Sequence, residues 1–485
     1  MSMGGESIKQ QTLTSIKWTS IERFGVQGMQ FVLSLIMARL LSPSDYGTVG
    51  MIAVFLSISQ SFIDSGFGNA LTRKLDRTET DYSTVFYFNV VISIACYFLL
   101  FILAPYIADF FNTPILSSLL RVQSIILLMN ALMLIQVTKL TIELNFKALS
   151  KRSLIATVVS GPCGVIMAYC GCGVWSLVGQ SIISTLVNLI MIWFYCKWRP
   201  LWIFSWKSFK ELGSYGSKIL AAGLLNSIYT HLTTLVIGKF FTSKDLGYYN
   251  RGTHFATFPL NTMNSILQRV TYPIMSRLQN NDDRLISVYR KYICFTSIPI
   301  FFCCVLLASI SKPMILLLLT EKWLPAAPYL TVFSFAIMFD HICSINLNVL
   351  QVKGRSDLFL KLEVIKKTIS IAILFASIPF GVMGICVSVV IYTQIAVYIN
   401  TYYTGKLFNL GYLTQMKDFI KYFIASVVAC IPAFCLSYFI KWHPVLSLIV
   451  SIITSISLYC LFLRKDIYFK EMVSMVRGKL SIIHK

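Results

Sequence analysis

Residues 82–104 read YSTVFYFNVVISIACYFLLFILA, a run of 23 residues without a charged side chain. A helix of about 20 predominantly apolar residues crosses the hydrocarbon core of a bilayer. The stretch therefore predicts a membrane-spanning helix, and similar apolar runs recur along most of the chain.

The composition of the chain indicates that lipid is its main solvent. Of the 485 residues, 56% are hydrophobic and 13% are charged, whereas a soluble domain carries about 25% charged residues. The net charge of +22 comes from 42 Lys and Arg against 20 Asp and Glu. Because these bases lie between apolar runs and no nucleic-acid-binding motif is present, we expect cytoplasmic loops and an anion pathway, and no nucleic-acid partner.

We predict an all-α, polytopic membrane protein with about fourteen transmembrane helices. The segments at 213–238 and 248–275 carry the most polar residues, so a count of twelve stays open. The predicted spans are 16–38, 48–71, 82–104, 117–138, 153–170, 174–195, 213–238, 248–275, 289–310, 326–350, 362–380, 383–404, 419–440 and 443–463.

The distribution of Lys and Arg over the connections predicts the orientation, because cytoplasmic loops are enriched in these residues. With the N-terminus inside, most bases of the connections fall on the inner side. The outer connections then hold Arg39, Lys239, Lys244, Lys312, Lys322 and Lys441. We predict a multi-pass protein of the bacterial cytoplasmic (inner) membrane with both termini in the cytoplasm.

A short repeat indicates how the spans are grouped. Residues 38–47 read ARLLSPSDYG and residues 238–247 read GKFFTSKDLG, with an offset of 200 residues and no gap. Each copy ends the first span of a six-span block, and an even block length makes the two copies parallel. We therefore predict two parallel six-helix lobes, at 1–200 and 201–410, and two further helices with a cytoplasmic tail at 411–485.

Six motifs resemble the polysaccharide-transporter branch of the MOP (multidrug/oligosaccharidyl-lipid/polysaccharide) superfamily, the Wzx-type flippases, and are most similar to WzxC-like exporters. In this branch's order they are ARLLSPSDYG at 38–47, DSGFGNAL at 64–71, APYIADFF at 104–111, GVWSLVGQ at 173–180, DLGYYNR at 245–251 and GRSDLFLKLE at 354–363. The resemblance covers residues 10–465, although Asn250 and Thr253 depart from the expected pattern.

The resemblance implies two lobes around a V-shaped central cavity that opens alternately to either side. It implies that the cargo is an undecaprenyl-diphosphate-linked oligosaccharide repeat unit, moved from the cytoplasmic to the outer leaflet for surface polysaccharides such as lipopolysaccharide. The expected partners are this lipid-linked oligosaccharide and the membrane lipid. A polysaccharide polymerase and chain-length machinery are further candidate partners.

Four bases inside the predicted spans are candidates for a cationic, substrate-binding cavity: Arg23, Lys218, Arg251 and Arg269. A diphosphate carries about two negative charges, and burying them without cations is prohibitive. Arginine suits phosphate because its donors form a planar fork. For each base the alternative is snorkelling of the side chain to the headgroups.

Four further residues are candidates for ion coupling: Glu22, Asp64, Asp340 and His341. Ionisable side chains within a membrane are functional candidates, and histidine titrates near physiological pH. The structural alternative for Asp64 is a local hydrogen bond at a helix end, before the Gly66-x-Gly68 break. For Asp340 and His341 it is a satisfied interhelical pair.

The sequence holds no catalytic constellation. It has no GxxxxGK[ST] phosphate loop, no serine elbow and no acidic cluster at metal-ligand spacing, so we expect no enzyme activity, metal or cofactor. A MATE-like drug or cation antiporter is the alternative within the superfamily, but the excess of intramembrane bases disfavours it. A membrane enzyme such as a polymerase is the alternative from another class, and the short outer loops disfavour it.

Overall fold

The computed structural model describes residues 25–64, 66–440 and 442–474, with the backbone but not the side chains of 261–262 and 264–270. These residues form helices and connections without a strand, which confirms the all-α prediction. The helices are α1 Gly25–Leu40, α2 Pro43–Asp64, α3 Phe67–Arg73, α4 Glu79–Phe110, α5 Ile115–Gln123, α6 Ile125–Ile142, α7 Phe146–Tyr169, α8 Trp175–Tyr195, α9 Trp206–Phe240, α10 Ser243–Arg277, α11 Asp282–Ser309, α12 Ser311–Leu318, α13 Ala326–Ile337, α14 Asp340–Val352, α15 Ser356–Ser377, α16 Gly381–Phe408, α17 Tyr412–Phe439 and α18 Pro444–Leu463.

Within the described residues, 11 helical segments are long and apolar enough to cross a membrane. One of them, Ser356–Phe408, has 53 residues and contains both α15 and α16. The apolar helix α1 is shorter than these 11 segments, and the 35-residue α10 is more polar than they are. The polytopic class is thus confirmed, while the count of fourteen stays a prediction.

Polar residues cap the N-terminal ends of several helices. The Thr78 side chain accepts a hydrogen bond from the backbone N–H of Asp81, and the Asp81 carboxylate accepts one from the backbone N–H of Thr78. Asn145, Ser205 and Asn281 accept similar bonds at the starts of α7, α9 and α11. Each such cap satisfies a free N–H and stabilises its helix by about 1 kcal/mol, so local sequence sets these helix starts.

The described residues up to Gly247 form one compact unit. In this unit α7 packs along α8, α2 packs along α9, and α4 packs against α5 and α6. Although α9 follows the predicted lobe boundary at residue 200, it packs here against α2, α3 and α4. The division into lobes at 1–200 and 201–410 stays a prediction.

The described residues from Tyr248 onward form a second compact unit. Here α11 packs along α17, α17 along α18, and α13 along α16. The core is a large cluster of buried apolar side chains that includes Ile298, Phe301 and Ile342. The two helices after residue 411 therefore belong to the packing of this second unit.

A buried polar network joins α11, α14, α16 and α17. Asn346 Oδ1 accepts hydrogen bonds from the hydroxyls of Tyr289, at 2.9 Å, and Thr404, at 2.8 Å. Gln415 Oε1 accepts from Asn346 Nδ2 at 3.0 Å, and Gln415 Nε2 donates to the backbone oxygen of Leu410 at 2.8 Å. Because buried amides need partners, this network restricts how the four helices can pack.

The two copies of the sequence repeat adopt the same local structure. The Ser42 hydroxyl donates to the Asp45 carboxylate at 2.7 Å at the start of α2. The Thr242 hydroxyl donates to the Asp245 carboxylate at 2.6 Å at the start of α10. Equivalent residues of the two copies thus form equivalent helix caps.

The starts of α2 and α10 are in contact within the first unit. A Cβ at Gly47 would lie 1.7 Å from the backbone oxygen of Ser243, and a Cβ at Gly247 would lie 1.8 Å from that of Pro43. The Oγ atoms of Ser44 and Ser243 are 2.7 Å apart. Each copy of the repeat therefore supplies the glycine against which the backbone of the other copy packs.

Candidate functional site

A polar cavity of about 410 Å³ lies between α2, α3, α6 and α9 in the first unit. These helices belong to three of the candidate membrane spans. Hydroxyls, one amide and one carboxylate supply the polar lining, from Ser61, Asp64, Asn69, Thr72, Thr138 and Thr141. The cavity, which we call the polar cavity, thus places hydrogen-bonding groups on membrane-crossing helices.

Asp64 stands where α2 ends, and its carboxylate lines the polar cavity. Gln60 Nε2 donates to Asp64 Oδ1 at 2.8 Å, and Asn130 Nδ2 donates to Gln60 Oε1 at 2.8 Å. Gly66 has a φ of 71°, and a Cβ there would lie 2.8 Å from the backbone oxygen of Gly216. Glycine adopts this left-handed backbone conformation without strain, so α2 ends before Gly66 and the Asp64 carboxylate stands at the end of the helix. The expected local hydrogen bond exists, and an ion-coupling role stays a prediction.

Lys218 is exposed on α9, about 18 Å along the helix from its start. Ile219, Leu220 and Gly223 of the same helix line the polar cavity. One turn of an α-helix takes 3.6 residues, so the side chain of Lys218 projects from a different side of α9 than these three lining residues. The structure therefore does not bring Lys218 and Asp64 into one cavity.

Lys74 ties the segment after α3 to α4 and α9. Its Nζ lies 3.2 Å from Asp81 Oδ2 and 3.1 Å from Glu211 Oε2. Burial lowers the pKa of the Lys74 ammonium, but the hydrogen bonds with Glu211 and Asp81 outweigh burial and raise that pKa above its ordinary value. Lys74 therefore stays charged and acts as a structural clamp near the polar cavity.

Arg251 is 5% exposed on α10 in the second unit. Its guanidinium carbon lies 5.4 Å from the centroid of the Trp323 ring, within cation–π range. A Cβ on the adjacent Gly252 would lie 3.0 Å from the backbone nitrogen of Leu330, so α10 and α13 pack closely here. Arg251 is thus packed between helices, and its predicted contact with substrate requires these helices to separate.

Asp340 and His341 lie at a break in the predicted span 326–350, between α13 and α14. His341 is 1% exposed; its Nδ1 lies 2.8 Å from the Met338 backbone oxygen and its Nε2 lies 2.9 Å from Ser297 Oγ. Because a carbonyl oxygen only accepts, Nδ1 carries a hydrogen, and Nε2 can accept from the serine hydroxyl. A neutral imidazole therefore satisfies both contacts, whereas the Asp340 side chain is exposed.

A charged pair that the sequence analysis did not select lies near Asp340. Lys366 is 6% exposed on α15, and its Nζ lies 2.5 Å from Glu363 Oε1. Lys366 also interacts electrostatically with Asp340. The signal was present in the sequence, because both residues of the pair fall within the predicted span 362–380. Lys366 pairs with Glu363, whereas the exposed Asp340 carboxylate makes no ion pair of its own among the described residues and is open to a proton or cation.

Three candidates have no described side chain. Glu22 and Arg23 lie outside the described residues, and Arg269 is described only as backbone within α10. Their predicted roles stay predictions.

Comparison with known proteins gives a family match over more than half of the chain. The profile of the family described as "Polysaccharide biosynthesis protein" matches residues 36–328. The teichuronic acid biosynthesis protein TuaB of Bacillus subtilis (strain 168) is 26% identical over 357 residues, 73% of each chain. The lipopolysaccharide biosynthesis protein WzxC of Escherichia coli (strain K12) is 24% identical over 393 residues, 78% of each chain.

The fold is similar to that of a solved membrane protein, the lipid II flippase MurJ in an inward closed conformation. The two share 16% sequence identity with a TM-score of 0.75, over 94% of this chain and 100% of that chain. Such a low identity shows a common fold only. The resemblance that the six motifs indicated is confirmed by the family match, and WzxC is among the relatives: this chain belongs to the family of polysaccharide biosynthesis proteins.

Proposed function

We propose that this chain translocates undecaprenyl-diphosphate-linked oligosaccharide repeat units from the cytoplasmic to the outer leaflet by alternating access. The observation that carries the proposal is the polar cavity, whose hydroxyls, amide and carboxylate stand on membrane-crossing helices. A glycan has many hydroxyls, and moving them into an apolar phase without hydrogen bonds is costly. A volume of about 410 Å³ falls within the ~300–1,000 Å³ range of ligand pockets.

The relatives support the same class of cargo. TuaB and WzxC are named for teichuronic acid and lipopolysaccharide biosynthesis, and both are polysaccharide pathways. The fold shared with a lipid II flippase supports a cargo that is linked to a lipid. The site of action is then the bacterial inner membrane, and the assembly enzymes that would take over the product are a polymerase and chain-length machinery.

Lys218 is the described base best placed to meet the diphosphate. It is exposed on a helix that crosses the membrane, and an exposed ammonium at this depth needs an anion or water. A diphosphate entering beside α9 supplies that anion. Arg251 can contact the diphosphate only if α10 and α13 separate, because its side chain is buried against Trp323 in this conformation.

Energy coupling is assigned in this proposal to the group formed by Asp340, Glu363 and Lys366. Lys366 balances one carboxylate, and the second attracts a proton or a small cation. His341, next to Asp340, has both ring nitrogens in contact with protein oxygens and takes a structural role.

Complementation of a host strain that lacks the chain tests the proposal. The wild-type chain should restore surface polysaccharide, and its loss should cause lipid-linked oligosaccharide to accumulate at the inner leaflet. Lys218→Gln should lower export about tenfold or more, because a charge-assisted contact contributes about 1.5–3 kcal/mol. Lys218→Arg should retain export, since it keeps the charge.

Lys210→Gln is the matched control, because Lys210 is also exposed on α9 but lies before the predicted span 213–238. It should export like the wild type, at an equal amount of inserted protein. A strain without the chain that still displays its polysaccharide and accumulates no lipid-linked oligosaccharide would refute the function itself. Normal export by Lys218→Gln would refute only the role of that base.

A further inference from the structure

A second cavity, of about 300 Å³, lies between α1, α2, α7 and α8 in the first unit. We call it the neutral pocket, because none of the described residues that line it is charged. Its polar wall consists of hydroxyl and amide side chains, mainly those of Gln30, Ser34, Thr157, Ser160, Gln180 and Ser181. The described lining therefore offers hydrogen bonds without a charge to hold an ion.

Three hydroxyls of the neutral pocket are arranged to accept hydrogen bonds. Ser34 donates to the backbone oxygen of Phe31 at 2.8 Å, and Thr157 donates to that of Ser153 at 2.9 Å. Ser181 likewise donates to its own helix at 2.8 Å. A hydroxyl has one hydrogen to donate and two lone pairs that can accept. Each of these hydroxyls already donates its hydrogen, so its oxygen can take part in a further hydrogen bond only as an acceptor.

The amide oxygen of the buried Gln123, whose nitrogen contacts Ser181, accepts no hydrogen bond from the described residues. Gln123 is 6% exposed, and its Nε2 donates to Ser181 Oγ at 3.4 Å. Its Oε1 has no hydrogen-bond partner among the described residues. Buried polar atoms are usually paired, and such an exception calls for a ligand or an ordered water as its partner.

The remaining wall gives the neutral pocket an apolar side and a fixed shape. Met37 and Leu177 line it and belong to a small hydrophobic cluster that also contains Tyr46. A Cβ on Gly164 would lie 2.8 Å from the Gln180 side chain, so this glycine lets the amide lie flat against α7. An aromatic and aliphatic wall opposite several acceptors suits a molecule with an apolar face and a polar edge.

These features select one class of ligand. A phosphate needs a balancing cation as well as donors; the described lining holds no cation, and the hydroxyls of Ser34, Thr157 and Ser181 already donate their hydrogens to backbone oxygens. An acyl chain offers no hydrogen-bond donors to these accepting oxygens. A sugar ring has several O–H donors on its edge and C–H groups on its face, and it matches a pocket near the lower end of the ~300–1,000 Å³ range. We infer that the neutral pocket binds one uncharged sugar ring of the lipid-linked glycan during its passage, an inference that rests on the proposed function.

Photocrosslinking in cells that make the polysaccharide identifies the occupant. Benzoylphenylalanine in place of Leu177 places the photoreactive group on the pocket wall. We expect an adduct that carries carbohydrate and that disappears when synthesis of the glycan is blocked. An adduct of glycerophospholipid, or no adduct, would show that lipid or only water fills the pocket and would overturn the inference.

Two small substitutions provide an independent measurement. Thr157→Val keeps the shape but removes an acceptor, and Gln180→Leu removes the amide that lies against Gly164. Each should lower export and adduct yield about fivefold, the factor expected for one hydrogen bond. Thr185→Val is the matched control, because its hydroxyl also donates to the backbone four residues earlier, at 2.9 Å, while the residue does not line the pocket.

The outcomes separate this inference from the function on which it rests. If loss of the whole chain abolishes surface polysaccharide while Thr157→Val and Gln180→Leu export like Thr185→Val, the function stands and the neutral pocket is not a sugar site. If loss of the chain leaves surface polysaccharide unchanged, the proposed function fails first.

Discussion

Gly47→Ala should separate the starts of α2 and α10. The added Cβ would lie 1.7 Å from the backbone oxygen of Ser243 and 2.6 Å from its carbonyl carbon, whereas ordinary contacts of a Cβ begin at 3.4 Å. The atoms to be displaced belong to the backbone, so no side-chain rotation can relieve the overlap. One helix start must retreat by about 1.7 Å, the difference between these distances.

The free-energy cost of this retreat follows from the contacts that it breaks. Overpacking of a tight interface costs about 1–3 kcal/mol. The hydrogen bond between Ser44 and Ser243 adds about 0.6 kcal/mol, the mean for such bonds in membrane proteins. The total is about 1.6–3.6 kcal/mol in the native chain, and overpacking alone shifts the equilibrium between contact and separation by about 5- to 150-fold.

Disulfide formation between Ser44→Cys and Ser243→Cys measures that equilibrium. The two native Oγ atoms are 2.7 Å apart, close to the ~2.05 Å length of a disulfide bond. The pair should therefore cross-link rapidly in membrane vesicles, and Gly47→Ala should slow the reaction about fivefold or more, because the cysteine pair lacks the serine hydrogen bond and only the overpacking cost acts. Because the chain has 13 native cysteines, the linked peptides are quantified by mass spectrometry.

Gly28→Ala is the control for a change of glycine to alanine on a membrane helix. No atom of the described residues lies within 4 Å of the Cβ that it would introduce, so cross-linking should proceed as in the parent. If Gly47→Ala cross-links at the parent rate in correctly inserted protein, the reciprocal glycine contact does not hold these helix starts together.

Three further predictions concern stability. Asn346→Leu should lower the free energy of unfolding by about 1–3 kcal/mol, because the buried Gln415 amide loses its partner; an unchanged Tm in detergent would contradict this. Burial raises the pKa of Asp466, but the hydrogen bonds from Lys421, the Phe469 backbone N–H and Tyr422, together with the charge of Lys421, outweigh burial and hold that pKa below its ordinary value. A carboxyl group whose pKa is depressed in the folded state stabilises the fold above its unfolded-state pKa, and this stabilisation is lost as the pH falls through its folded-state pKa. The Tm of the wild type should therefore exceed that of Asp466→Asn at pH 7, and the two Tm values should converge below about pH 4. Gly66→Ala should cost about 1–2 kcal/mol, since it forces an alanine into a φ of 71°, and a Tm equal to that of the wild type would refute the strain.

The repeat shows how far short sequence motifs lead. Comparison of residues 38–47 with 238–247 was sufficient to pair Ser42 with Thr242, and in the structure both hydroxyls accept the same capping bond, from the backbone N–H of Asp45 and of Asp245. The motif also contained Gly47. Its role was not readable, because a glycine selected for close approach of a distant backbone looks in sequence like any other glycine.

The charged residues show the opposite limit. Lys218 and Arg251 both fall within predicted spans, yet one is exposed and the other is buried beside Trp323. Lys366 was overlooked although it lies in a predicted span at the i,i+3 spacing from Glu363 that favours an ion pair; only the tertiary structure shows that this lysine is buried.

The sequence by itself determined the solvent, the class of fold and the family. Apolar runs of sufficient length can only be membrane-crossing helices, because every backbone hydrogen bond must be made within the segment. Motif order then indicated the family. The tertiary structure alone decided where the cavities lie and which polar groups line them, such as Asp64 in the polar cavity and Thr157 in the neutral pocket. The physical reason is that a span can be read from the hydrophobicity of one segment, whereas a cavity depends on the rotation and spacing of several helices, which side-chain packing between distant segments sets.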